Sequence, residues 1–138
     1  MKKLPTDREI LKCIFDLYKS DYPGSKGEDG RGANDPFILI DLTKVAARLD
    51  CGTELIFGRL YYHLDAKYRY KQDNGARVDL FLLNLRDQGH GVHFPFLASL
   101  LAGLEEEYRK LFWSMAFLVL ALILSATSLA VNLVTKWK

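Results

Sequence analysis

No charged residue stands between Leu111 and Thr135, 25 residues that read LFWSMAFLVLALILSATSLAVNLVT. Soluble domains seldom carry such a run, because a helix apolar on every side must be covered on every side. As a helix it would be roughly 37 Å long, more than the ~30 Å hydrocarbon core of a bilayer. Its flanks carry residues suited to the headgroup level: Arg109, Lys110 and Trp113 at entry, Lys136, Trp137 and Lys138 at exit. The expectation is a transmembrane helix over 111–135 with a short basic tail, 136–138. The alternative is a central helix buried inside a soluble domain.

Other shortages narrow the chemistry. There are two cysteines, Cys13 and Cys51, without CxxC spacing. A disulfide framework is not expected, and small buried thiols in a reducing compartment are. Of three histidines, His90 and His93 lie close together, but no Cys or acid cluster nearby supplies further metal ligands. No GxSxG, HExxH or paired-carboxylate setting occurs. The glycine-rich stretch at 20–36 lacks GxxxxGK[ST] and has no strand before it, so it reads as a surface loop. Neither an enzyme nor a bound cofactor or metal is expected. A secretory leader is not seen either, since Asp7, Arg8 and Glu9 interrupt the start before any apolar segment forms. A single-pass, C-terminally anchored topology with a cytoplasmic soluble domain follows as the expectation. Flanking bases are nearly balanced, so they decide the orientation poorly.

Before Leu111 the chain holds all 17 acidic residues and 17 of the 19 basic ones. A neutral domain is a poor general polyanion binder, although a local basic patch is compatible with it. Length allows one soluble domain, 1–93, beside the anchor. Thr6 and Glu9 form a capping box for a first helix over 6–19, with Ile10, Leu11, Ile14, Phe15 and Tyr18 on its apolar face. Phe37 to Ile40 reads as a strand. Asp41 or Thr43 caps a second helix, Leu42 to Leu49. After the Asp50-Cys51-Gly52 turn, Thr53 caps a third helix, Glu54 to Ala66, with Leu55, Ile56, Leu60, Tyr61 and Leu64 as its apolar set. Lys67 to Lys71 alternates basic and aromatic residues as a strand does. Asn74-Gly75 is a hairpin signal, and Val78 to Leu85 is the returning strand. Arg86 to Gly91 reads as a polar joint.

The order helix, strand, helix, short turn, helix, hairpin resembles the winged helix-turn-helix superfamily. The residues that carry it are the LTKVAARLDCGTELIFGRLYYHL run and the hairpin after it, and the resemblance covers about residues 6–85. It implies an α+β fold, a small winged-helix-like domain, whose third helix and basic hairpin would face a partner. In that superfamily the equivalent helix commonly enters the DNA major groove and the wing touches backbone. Here the third helix departs from a DNA reader. It offers Arg59 and His63 beside Phe57, Tyr61 and Tyr62, which suit protein contact at least as well. Lys67, Arg69, Lys71 and Arg77 make the hairpin basic, as a phosphate-binding wing or as an ordinary solvated face.

From Phe94 to Lys110 a further amphipathic helix is expected, the stalk, with Pro95 in its first turn. Leu97, Leu101, Leu104, Tyr108 and Leu111 follow 4-3 spacing, a coiled-coil seam. The helix packs on its own domain, lies at the membrane surface, or associates with copies of itself. Inside the apolar run Ala121, Ser125, Ser128 and Asn132 share a face, and small or amide residues let helices pack closely in lipid. Alternatively the membrane hydroxyls bond their own preceding carbonyls. Three functions stay open: an adaptor that binds a protein and self-associates, a membrane-tethered DNA-binding regulator, and a small oligomeric membrane effector.

Overall fold

A computed structural model describes residues 4–22 and 35–137; of the expected loop over 20–36, residues 23–34 lie outside the described residues, as does Lys138. Helix and strand are mixed, and the chain divides into two units, Met1–Ala102 and Gly103–Lys138.

In the first unit α1 runs Asp7–Tyr18, started by the capping box: Glu9 N–H donates to Thr6 Oγ1 at 3.2 Å and Thr6 N–H to the Glu9 carboxylate at 2.6 Å. Ile10, Leu11 and Ile14 are fully buried, and the Tyr18 hydroxyl accepts from the Asp41 N–H at 2.7 Å. That bond fastens α1 to the end of β1 (Phe37–Ile40). Asp41, rather than Thr43, caps α2 (Leu42–Arg48), accepting from the N–H groups of Thr43 and Lys44. Asp50 takes a left-handed conformation (φ 52°) to make the turn that follows.

The third helix begins one residue earlier than expected. Gly52, not Thr53, is the cap, because its extended backbone aims its carbonyl at the N–H groups of Leu55 and Ile56. Three segments follow in sequence: α3 (Thr53–Gly58), a π-helical stretch (Arg59–Asp65) and a last turn, α4 (Ala66–Tyr68). Ile56, Leu60 and Leu64 are fully buried, whereas Leu55 and Tyr61, expected with them, are exposed. A π-turn places residues five apart in register, so the apolar face shifts along the helix and Tyr61 turns outward. The strand expected at Lys67 to Lys71 shortens to β2 (Tyr70–Lys71). The helix continues through Tyr68, and the Arg69 N–H still donates to the Asp65 carbonyl at 2.9 Å.

The hairpin turn at Asn74-Gly75 is present. Gly75 sits at φ 82°, and β2 pairs antiparallel with β3 (Arg77–Val78). The returning strand expected over Val78 to Leu85 is divided after β3. The buried Asp65 carboxyl accepts from the Leu80 and Phe81 N–H groups at 2.8 and 3.2 Å and draws the chain away into β4 (Phe81–Leu82). The expected polar joint is likewise corrected. Residues 85–88 form a tight turn with Arg86 and Asp87 both left-handed (φ 54° and 57°) and the Gln88 N–H on the Leu85 carbonyl, the geometry of a type I′ hairpin turn. It leads into β5 (His90–His93), the central strand of an antiparallel sheet ordered β1-β5-β4. Val92 pairs with Ile38 on one side and Phe81 on the other. Gly91 is required here, since the Leu85 side chain lies 2.9 Å from where a Cβ would stand.

One helix, α5 (Phe94–Lys136), takes up both the expected stalk and the apolar run. Its first turn is ordered by His93, whose Nδ1 accepts from the Phe96 N–H at 3.2 Å. Phe94, Leu97 and Leu101 are buried in the first unit. Leu97 and Leu101, expected in a self-association seam, are therefore spent on the core of the first unit, which runs to Ala102 rather than ending at residue 93. In the second unit every residue from Glu106 to Trp137 is exposed, so the apolar run is not the buried core of this chain. The helix is long and apolar enough to cross a membrane.

Candidate functional site

The third helix distributes its side chains among three neighbours. Ile56, Leu60 and Leu64 enter the core. Arg59, His63 and Lys67 recur every four residues and converge on one acid, Asp7, in the first turn of α1. His63 Nε2 and Lys67 Nζ lie 3.1 and 3.2 Å from Asp7 Oδ2, and Arg59 donates to Oδ1. Burial alone would raise the Asp7 carboxyl, but hydrogen bonds from His63 and Lys67 and the charges around it bring its pKa below the ordinary value. Three residues expected to face a partner or nucleic acid are thus engaged inside the fold. Asp7 was not foreseen as their counterpart; the four-residue spacing of the bases was its only trace in the sequence.

The remaining side of the helix is aromatic. Phe57 stacks on Tyr61 at 5.7 Å and meets Tyr62 edge-on at 6.4 Å, and Tyr61 and Tyr62 touch at 4.9 Å. Phe57 also contacts Phe81 and His90 on the sheet, at 6.2 and 5.8 Å. The inner end of this cluster is therefore held by two strands. Its outer end is bare: Tyr62 is 73% exposed and Leu55 51%. His90 joins this cluster. His93 joins another, against Phe37 and Phe96, so the two histidines serve separate packing roles.

The hairpin is basic but less so than its sequence suggests. Arg77 pairs with Asp79, and Lys67 is held by Asp7. Arg69 and Lys71 are exposed with no ion-pair partner among the described residues. In the hairpin turn joining β4 to β5, Arg86 pairs with Asp35. Both thiols are raised by burial, Cys13 beside the Val45 carbonyl and Cys51 beside that of Ala46, which makes them poor nucleophiles.

In the second unit Leu104 is half-buried and Tyr108 exposed, and Glu106 pairs with Lys110 at 2.8 Å. Arg109, Trp113, Lys136 and Trp137 stand exposed at the ends of the apolar run. Thr127 and Thr135 turn their hydroxyls back onto the carbonyls of Leu124 and Val131, whereas Ser125 and Ser128 make no side-chain hydrogen bond among the described residues. Those two serines lie on one face of the helix with Ala121 and Asn132.

No family model matches the chain, and no curated protein or solved structure matches it either.

Proposed function

We propose that this protein is a membrane-anchored adaptor. In this reading α5 crosses the bilayer once, the first unit stands in the cytoplasm, and the aromatic side of the third helix binds a protein partner. The observation that carries it is the exposure of Leu55, Tyr61 and Tyr62 on a helix whose bases are engaged by Asp7. Aromatic rings supply large contact area at low entropic cost, and they are enriched where proteins meet. The π-helical stretch supports the same reading, since such turns are rare and often accompany functional surfaces.

The winged-helix reading is supported by the element order and by a three-stranded sheet ordered β1-β5-β4. It moves the wing, however. In this arrangement the wing is the β4–β5 hairpin with its turn at 85–88, and the basic β2–β3 hairpin is an addition before it. A DNA-binding role draws support only from Arg69, Lys71 and Arg77, too few bases for tight binding at physiological salt. Self-association is proposed through Ala121, Ser125, Ser128 and Asn132 in the apolar run.

The test places a photo-crosslinking residue at position 62 of the full chain in its native membrane. A discrete protein adduct that disappears with Tyr61→Ser and Leu55→Ser, while duplex DNA causes no mobility shift of the micellar protein, supports the adaptor. A salt-dependent shift with DNA and no protein adduct refutes it.

A further inference from the structure

Lys71 and Arg77 face one another across the β2–β3 hairpin as register partners. Like charges directly opposite in a two-stranded ribbon repel, and such a short hairpin has little pairing to offset that. Asp79 relieves Arg77 only, and Asp73 in the turn is the one other acid in the hairpin. Arg69 adds a third cation. With Tyr70 the three line a concavity of about 300 Å³. Two unpaired bases, a like-charge cross-strand pair and a polar-tipped aromatic ring around one hollow form a site that an anionic group would complete. Tyr70 also meets Phe96 in α5 edge-on at 5.5 Å, which fastens the hairpin to the first turn of that helix.

We infer that the β2–β3 hairpin binds the phosphate headgroups of acidic lipids in the membrane that holds α5. This rests on the anchored reading above. Arg69 and Lys71 bring direct charge to the phosphate, Arg77 adds a planar donor set on the opposite strand, and the Tyr70 hydroxyl is a further donor. A few such contacts are weak in free solution. A chain already anchored in the same bilayer meets headgroups at high effective concentration, so weak contacts suffice. A polynucleotide fits the site less well. Following its backbone requires a run of bases, and Arg59 and Lys67, which would extend the patch, are held by Asp7.

The experiment uses the full chain in nanodiscs of phosphatidylcholine alone and of phosphatidylcholine with phosphatidylserine, reading amide hydrogen exchange over residues 69–78. Alkaline carbonate extraction from vesicles comes first. Release of the chain there overturns the anchored reading and this inference together. With the chain retained, exchange in the hairpin should slow several-fold in the acidic discs. The effect should vanish near 1 M salt, where the screening length falls to about 3 Å. Arg69→Gln with Lys71→Gln should abolish it, and Arg69→Lys with Lys71→Arg should keep it. Both residues are exposed, so exchange in α1 should not change in either variant. Equal hairpin exchange in the two discs overturns the inference while leaving the anchor standing. Stronger protection by duplex DNA in neutral discs than by phosphatidylserine also overturns it, in favour of nucleic acid.

Discussion

Replacing Asp65 separates two demands that this buried carboxyl meets at once. The residue is 3% exposed, and its Oδ1 accepts from both the Leu80 and Phe81 N–H groups. Asp65→Ala leaves two buried backbone donors without an acceptor. Each such group costs about 1–3 kcal/mol, so the pair should cost about 2–6 kcal/mol, a large share of a total near 5–15. Asp65→Asn keeps an amide oxygen as acceptor in the same place and should lose far less. The assay is urea unfolding of the full chain in micelles, followed by tyrosine circular dichroism. Both tryptophans lie at the ends of the apolar run, where they do not report on this unit. With m of about 2 kcal/mol per molar, the alanine midpoint should fall by about 2 M, and the asparagine midpoint by well under half of that. If Asn and Ala fall equally, or Ala by less than about 0.5 M, the bonds at Oδ1 are not what directs β4 away from β3.

Three further outcomes follow from the same geometry. His93 holds the first turn of α5 through an unprotonated Nδ1, and burial lowers its pKa. The stability it lends should be complete above about pH 6.5 and decline as pH falls through the lower folded value. His93→Asn keeps a capping acceptor without titrating there, so its unfolding midpoint should be flat across that range. Truncation after residue 93 removes Phe94, Leu97 and Leu101 from the core and should leave a poorly folded domain, whereas truncation after 102 should give cooperative thermal unfolding by circular dichroism. Leu97→Ala in the longer form should cost about 2–5 kcal/mol by denaturant titration. In the apolar run, Ser125→Leu with Ser128→Leu should keep the helix inserted while reducing crosslinked oligomer in bilayers, and Asn132→Leu should reduce it further. Equal crosslinking by wild type and variant would leave these residues as a lipid-facing surface.

The elements that could be read in advance are those governed by near neighbours. Thr6 and Glu9 announce α1 because a capping box closes within four residues. A single cap, Asp41 or Thr43, announces α2, and the fold selects Asp41. The Asn74-Gly75 turn needs only its own dihedrals. β5 escaped notice because His90-Gly91-Val92-His93 has little apolar alternation, and its turn uses Arg86-Asp87 where Asn-Gly would have been a signal. It becomes a strand by being covered on both edges. The aromatic residues of the third helix were legible as a group. The fate of its bases was not, since Asp7 stands 52 residues from Arg59.

By itself, then, the sequence determined the uncharged run from Leu111 to Thr135, the starts of α1 and α2 and the Asn74-Gly75 hairpin turn. Each follows from solvation or from backbone geometry over a few residues. Tertiary structure alone decided which strands pair in the three-stranded sheet and that Leu97 and Leu101 serve the core of the first unit rather than a seam between copies. It also decided which cations remain free. A 4-3 pattern or a row of bases is the same string whatever it packs against, and only the fold brings Asp7 to Arg59, His63 and Lys67 while leaving Arg69 and Lys71 without an ion-pair partner among the described residues.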